Sequence, residues 1–288
     1  MICVYASMRA ILAISLLSLN LVIGTSLVFA LSLFSFFSLG LLKTWVNNII
    51  SCLCYYHARN IRAVLLYISG LQLQVSFADI NKQDRHVIIA NHRSQMDILI
   101  LLAAASEHAP ELKFFLKRSL MYVPFMGLFC YLCGYPFVDR FTKSQLRDRQ
   151  LRAKQQQMLL DKCQSLFTRA VALVIFVEGT RFDKTKAQKF KYENLLPPQS
   201  LGVATAINAQ QQTGSVLDAT IVYAGDDISV WQVLSGKINK VQLLVEEVKL
   251  EQTINLDDKT SMRGLQNWLQ ELWQRKDKRI SEILAAST

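Results

Sequence analysis

The sequence predicts an α/β fold: a mixed sheet flanked by helices, preceded by an N-terminal membrane-embedded helical segment. Three observations predict it. Short apolar runs with β-branched members alternate with longer helical stretches, several runs end in turn-forming residues, and the first 45 residues are apolar and nearly free of charge. With 288 residues, 51% hydrophobic and 19% charged, the chain can bury a sizeable core, which excludes a disordered protein.

The N-terminal segment is uncharged from Ala10 to Leu42, and Asp79 is the single acidic residue of the first 80. As one helix, its 33 residues extend about 50 Å at roughly 1.5 Å per residue, against a hydrocarbon core of roughly 30 Å. A tilted single span and a hairpin turning at Gly24-Thr25-Ser26 both fit this arithmetic. A hairpin of that kind leaves Arg9 and Lys43 on one positive face. Val28-Phe29-Ala30 resembles a signal-peptidase site, but the apolar run is too long for a signal peptide and continues beyond it. The expected division is an anchor at 1–45 and a catalytic-sized domain at 46–288.

Trp45–Leu71 reads as a helix with a few basic residues. Val75–Ala78 and His86–Ala90 read as strands, Asp97–Glu107 as an apolar helix, and Leu112–Leu132 as a helix interrupted by Pro124 and Gly127. Tyr135–Val138 reads as a short strand and Gln145–Phe167 as a polar helix. Val171–Val177, ahead of Glu178-Gly179, reads as a buried strand. A helix at Leu201–Ala209 follows Pro197-Pro198. Leu217–Tyr223 and Lys240–Leu250 complete the strands, and Thr260–Ala286 is a closing amphipathic helix.

Net charge is +10, so anionic partners are expected: phosphates, nucleic acid or an acidic membrane surface. The six cysteines lack secreted-domain spacing. Cys130-x-x-Cys133 lies in an apolar stretch with no second ligand pair, so buried thiols are expected, with no disulfide and no metal site.

Four segments carry candidate chemistry. Asn91-His92-Arg93-Ser94-Gln95-Met96-Asp97 leaves the carboxyl end of a strand, where α/β proteins place ligands. There His92 suits a general base and Asp97 suits its orientation, although Ser94-x-x-Asp97 reads equally as a helix-capping box. Val177-Glu178-Gly179-Thr180-Arg181 brings an acid, a permissive backbone and a guanidinium to another strand end; alone it reads as a surface turn. Gly134–Arg140 delivers Arg140 from a short strand, and Lys117-Arg118 opens an apolar stretch ending in Pro124 and Gly127.

In this order and at these separations the segments resemble the glycerolipid acyltransferase family. Its motifs N-H-x4-D, K-x-x-L-x-x-x-P-x-x-G, G-x-x-F-(I/V)-x-R and F-P-E-G-T-R all occur, over roughly Val75–Gly225. Val177 stands where the family has Pro, and Leu217–Tyr223 replaces a Pro-rich segment. Within the family the chain looks closer to the 1-acylglycerol-3-phosphate acyltransferases and to a proteobacterial membrane branch.

The resemblance implies a glycerol-3-phosphate acyltransferase-like fold and transfer of an acyl group from a thioester to the hydroxyl of a lysophospholipid, lysophosphatidic acid foremost. It implies catalysis by His92 and Asp97. Phosphate and glycerol binding falls to Lys117, Arg118, Arg140, Glu178, Gly179, Thr180 and Arg181. Glu178 either holds an arginine or accepts a glycerol hydroxyl. No cofactor or metal is expected, with acyl-CoA or acyl carrier protein as co-substrate. Membrane lipid is a further partner, and the location implied is a bacterial inner membrane with the catalytic domain in the cytoplasm. Another lysophospholipid acceptor is the alternative. A membrane-tethered nucleic-acid binder is the reading from a different class, but the sequence lacks an RNA or DNA motif, so no nucleic-acid partner is expected.

Overall fold

The computed structural model describes residues 2–37, 39–138, 149–211, 214–225, 228–250 and 253–286. Its centre is a six-stranded sheet in the order β1-β8-β7-β2-β6-β3. These strands are β1 (Gln72–Phe77), β2 (His86–Ala90), β3 (Glu111–Phe114), β6 (Val171–Phe176), β7 (Val216–Tyr223) and β8 (Lys240–Val248). β3, β6, β2 and β7 run parallel; β8 pairs antiparallel to β7 and parallel to β1. The expected mixed sheet is therefore present. Every residue of β2 and β7 is buried, as continuous apolar strands covered on both faces require.

Two apolar layers cover the sheet. One joins Ile88, Ala90, Val174 and Ile221 to α3 (Met96–His108) and α8 (Val230–Leu234). The other joins Val87, Ile89, Leu173 and Ile175 to α5 (Arg149–Leu166), α7 (Ser200–Gln210) and α9 (Lys259–Ala286). α9 inserts Leu265, Leu269, Leu272 and Trp273, all buried, on the spacing of a helix with one apolar face.

The N-terminal segment corrects the expected turn. α1 (Ile2–Phe36) runs unbroken through Gly24-Thr25-Ser26. Thr25 and Ser26 donate their hydroxyls to the carbonyls of Leu21 and Val22 one turn back, so these polar groups are satisfied inside the helix. The chain reverses between Phe36 and Gly40, and α2 (Gly40–Ala63) returns along α1. Asn20 and Asn60 tie the two helices, with 3.0 Å between Asn60 Nδ2 and Asn20 Oδ1. Arg9 and Lys43 consequently lie toward opposite ends of the hairpin, not on one face. α2 passes continuously through positions 45 and 46 and ends in a π-helical turn, Val64–Ile68. The first turns of α1 belong to the domain: Ala10 and Ala13 are fully buried in the layer that holds Leu65, Val233 and Leu234. Val4–Phe36 is long and apolar enough to cross a membrane by length and composition.

The second correction is at Leu112–Leu132, which is not an interrupted helix. The segment divides into β3, a two-residue strand β4 (Leu116–Lys117), a 3₁₀ turn (Arg118–Tyr122) and α4 (Met126–Leu132). β4 pairs with β5 (Phe137–Val138). Parallel pairing of β3 on β6 buries Leu112 and Phe114, an outcome that helical periodicity cannot anticipate. Pro124 and Gly127 do mark a break. A Cβ on Gly127 would lie 2.1 Å from the Met121 carbonyl oxygen, so the chain folds back tightly there. Phe129 of α4 and Cys133 just after it pack against Val28, Val46 and Cys54 of the hairpin. Cys54 and Cys133 are free thiols whose sulfurs lie 3.2 Å apart.

Candidate active site

The site is assembled at the carboxyl ends of β2 and β6. Asn91, directly after β2, is fully buried and clamps the neighbouring strand. Its Nδ2 donates to Ile221 O at 3.0 Å, and its Oδ1 accepts from Ile221 N at 2.8 Å. The next residue is thereby fixed relative to β7.

His92 Nδ1 lies 2.8 Å from Asp97 Oδ2. The same oxygen accepts from Arg93 N at 2.6 Å and Ser94 N at 2.9 Å. Tyr223 donates its hydroxyl to Asp97 Oδ1 at 2.7 Å. Asp97 is fully buried, and four donors converge on its carboxylate. An ionised carboxylate only accepts, so the His92 proton resides on Nδ1 and the Nε2 lone pair is left to act as a base.

The capping reading and the catalytic reading of Asp97 are the same arrangement. The bond from Ser94 N to Asp97 is half of the expected box. Ser94 Oγ accepts instead from Met96 N at 3.2 Å and donates to Ile228 O at 3.1 Å. Ser94 is buried in these contacts.

The Glu178-Gly179-Thr180-Arg181 turn grips the backbone of His92 from both directions. Glu178 Oε1 accepts from His92 N at 3.0 Å, while Phe182 N donates to His92 O at 2.7 Å. Glu178 Oε2 accepts from Leu196 N at 3.0 Å. With both oxygens on backbone N–H groups and 3% exposure, Glu178 is a clamp between loops. Burial pushes its carboxyl up to about 7, partly offset by the two N–H bonds and by Lys276 and Arg93. Gly179 adopts φ +67° at the bend, which favours glycine.

Beside the dyad lies a polar cleft of about 360 Å³ lined by Arg93, Ser94, Thr180, Arg181, Asp183 and Lys186, among others. Arg93 is held in place: its Nη1 donates to Asn194 O at 3.2 Å, and its guanidinium lies 4.4 Å over the Phe182 ring. Asp183 Oδ1 is occupied in capping α6 (Lys184–Ala187) through Thr185 N. Three cations therefore face a cleft with one carboxylate, a donor set suited to a phosphate. On the other side of His92 the surroundings are aromatic. Phe176 stacks on the imidazole at 4.2 Å, followed by Phe114 and Tyr135.

Of the expected site residues, the structure brings together His92, Asp97, Glu178, Gly179, Thr180 and Arg181. Lys117 and Arg118 are exposed, on β4 and the 3₁₀ turn, and do not line this cleft. Arg140 lies outside the described residues. Sequence reasoning missed Asn91 as a strand clamp, Tyr223 as the second anchor of Asp97, and Arg93 and Lys186 in the cleft. Arg93 had a signal, a cation inside the His-Asp motif; Tyr223 lies 126 positions from Asp97 and had none. Phe114 and Phe115 point to opposite layers of the sheet, and Phe125 is exposed.

A family model described as Acyltransferase matches residues 72–198. Mouse 1-acyl-sn-glycerol-3-phosphate acyltransferase epsilon is 25% identical over 241 residues, 75% of this chain and 62% of that protein. The Saccharomyces cerevisiae 1-acyl-sn-glycerol-3-phosphate acyltransferase is 30% identical over 132 residues, covering 46% of this chain and 38% of the yeast protein. Lysocardiolipin acyltransferase 1 of Danio rerio is 23% identical over 238 residues, 77% of this chain and 58% of that protein. The chain thus spans less than two thirds of the length of these relatives. The crystal structure of the 1-acyl-sn-glycerophosphate (LPA) acyltransferase PlsC from Thermotoga maritima superimposes with a TM-score of 0.63 at 15% identity, over 98% of both chains. Residues 72–198 thus match the Acyltransferase family model, in a chain that is similar to the 1-acyl-sn-glycerol-3-phosphate acyltransferases in sequence and has the PlsC fold.

Proposed function

We propose that the protein is a membrane-anchored O-acyltransferase that moves a fatty acyl group from an acyl thioester to the free hydroxyl of a lysophospholipid. Lysophosphatidic acid is the acceptor of this reading, giving phosphatidic acid. The observation that carries this reading is the 2.8 Å contact between His92 and a buried, four-fold satisfied Asp97 beside a cleft of three cations.

His92 Nε2 takes the proton from the acceptor hydroxyl as its oxygen attacks the thioester carbonyl. Asp97 holds the ring and stabilises the imidazolium. Collapse of the tetrahedral intermediate breaks the carbon–sulfur bond, and the imidazolium returns the proton to the leaving thiolate. The products are an ester and a thiol, with no acyl-enzyme and no cofactor beyond the acyl-CoA or acyl carrier protein co-substrate. Arg93, Arg181 and Lys186 bind the acceptor phosphate.

The hairpin gives the reaction its location at a membrane, in a bacterium the inner membrane with the catalytic domain in the cytoplasm. Drawing a chain of about 16 carbons from lipid into water costs roughly 0.8 kcal/mol per methylene, more than about 10 kcal/mol in all. An anchored enzyme avoids that step.

The test is mass spectrometry of the products formed from a panel of lysolipids with acyl-CoA and with acyl carrier protein thioester. Phosphatidic acid as the dominant product supports the reading. Acylation of lysocardiolipin in preference to lysophosphatidate favours the alternative acceptor. Absence of transfer to every lysolipid contradicts it.

A further inference from the structure

The hairpin is not the only apolar surface left open. In the 3₁₀ turn and α4, Tyr122 is 80% exposed and Tyr131 61%, with Val123, Phe125 and Leu128 between 41% and 47%. A contiguous apolar patch of this kind on a folded domain marks an interaction surface. Lys117 and Arg118 are exposed at its edge.

The patch is held firmly in place. Val123 N donates to Leu120 O, Met126 N to Pro124 O and Gly127 N to Val123 O, at 2.6–3.1 Å. Phe125 takes φ +59°, a backbone conformation that side chains avoid, and it directs the ring outward at 47% exposure.

The position of the patch selects the partner. Thr25 of α1 donates to Phe125 O at 3.3 Å, and the buried face of α4 rests on Val28 and Val46 of the hairpin. The shelf is therefore seated on the hairpin at the level of Thr25, while the opposite side of α1 at that level exposes Ile23 (51%) and Leu27 (47%). Thr25 lies eleven residues before the end of α1 at Phe36, about 16 Å at roughly 1.5 Å per residue. That is close to half of a hydrocarbon core of roughly 30 Å. With the hairpin tip at the bilayer centre, the shelf falls at the headgroup boundary, where Tyr is enriched and Lys and Arg meet anionic lipid.

We propose that the 3₁₀ turn and α4 form a second lipid-contact surface: an aromatic shelf by which the catalytic domain itself rests in the interface of a bilayer with anionic headgroups. The proposal rests on the membrane reading given above. Leu120 and Met121 pack on the same core layer as Phe114 and Phe176.

The test is photocrosslinking of the full chain in phosphatidylethanolamine–phosphatidylglycerol vesicles. A benzophenone amino acid is placed singly at Tyr122, Leu128 or Tyr131, at Leu33 of α1 as a hairpin control, and at Met158 of α5 as a domain control. Met158 is 42% exposed. All five positions are exposed, so folding is preserved. The expected result is phospholipid adducts at 122, 128, 131 and 33 at least five-fold above those at 158. Adducts at 33 with none above the 158 level on the shelf overturn the proposal and leave the anchor intact. Background levels at 33 as well overturn both.

Discussion

Tyr223 donates its phenol to Asp97 Oδ1 at 2.7 Å, on the carboxylate oxygen that does not face His92. Tyr223 closes β7, whereas Asp97 sits in the first turn of α3. The contact fastens the His-Asp motif to a strand more than a hundred residues later. Burial pushes the Tyr223 phenol well above its usual range, and the adjoining Asp97 charge adds to this, so it remains a donor at every physiological pH.

Tyr223→Phe keeps the ring and removes the donor. It leaves one oxygen of a buried carboxylate unsatisfied, which costs about 1–3 kcal/mol. The expected outcome is a lower unfolding midpoint, together with a fall in kcat of about ten-fold and little change in KM, because Asp97 holds His92 rather than substrate. Denaturation and steady-state kinetics on the same preparation check this. Unchanged kcat in the destabilised variant makes the bond a packing contact only.

Glu178 gives stability a pH dependence of known sign. Its carboxyl is raised from 4.5 to about 7 by burial. Between those values the unfolded chain has lost the proton that the folded chain keeps. The stabilisation is complete below about 4.5 and is lost as pH rises through about 7. Glu178→Gln removes this group's slope. Unfolding midpoints of the two proteins between pH 4.5 and 7.5 are therefore expected to converge, or to reverse their order, as pH rises. Parallel curves contradict the assignment.

Lys276 of α9 and Asp218 of β7 form a buried ion pair on one face of the sheet. Lys276 Nζ lies 2.5 Å from Asp218 Oδ1 and 2.8 Å from Ala219 O, at 2% exposure. Lys276→Met strands the carboxylate and is expected to cost about 3–5 kcal/mol. Lys276→Met combined with Asp218→Asn removes both charges and is expected to recover most of that loss. Denaturant unfolding of both variants decides it, since a double variant no more stable than the single one contradicts the pairing.

Arg181 and Lys186 face the polar cleft from the exposed side of the site. Replacing either with Gln is expected to raise KM for lysophosphatidate about ten-fold or more, because a charge-assisted bond to phosphate contributes about 1.5–3 kcal/mol. Acceptors without a phosphomonoester are expected to respond less. Equal loss on both kinds of acceptor argues against phosphate recognition here.

Much of this architecture was readable because it is local. His86–Ala90 and Val171–Phe176 are compact apolar runs ending in motif residues, and each became a buried parallel strand. The relation of His92 to Asp97 is likewise a matter of one turn. What escaped reading depends on partners distant in sequence. The strand β3 exists through its pairing with β6. The hairpin turn falls after Phe36 because Thr25 and Ser26 satisfy their hydroxyls within the helix. Glu178 reads as an acid that holds an arginine or accepts a glycerol hydroxyl; that it also accepts from the backbone N–H groups of His92 and Leu196 depends on loops that meet only in the fold.

The most direct measurement is acyl transfer from a labelled acyl thioester to lysophosphatidate by wild-type protein and by His92→Ala, both in detergent, with folding checked by circular dichroism. The account predicts a loss of about 10²–10⁴-fold in rate with an unaltered spectrum and unfolding midpoint. A folded His92→Ala protein that transfers acyl groups at the wild-type rate would contradict it.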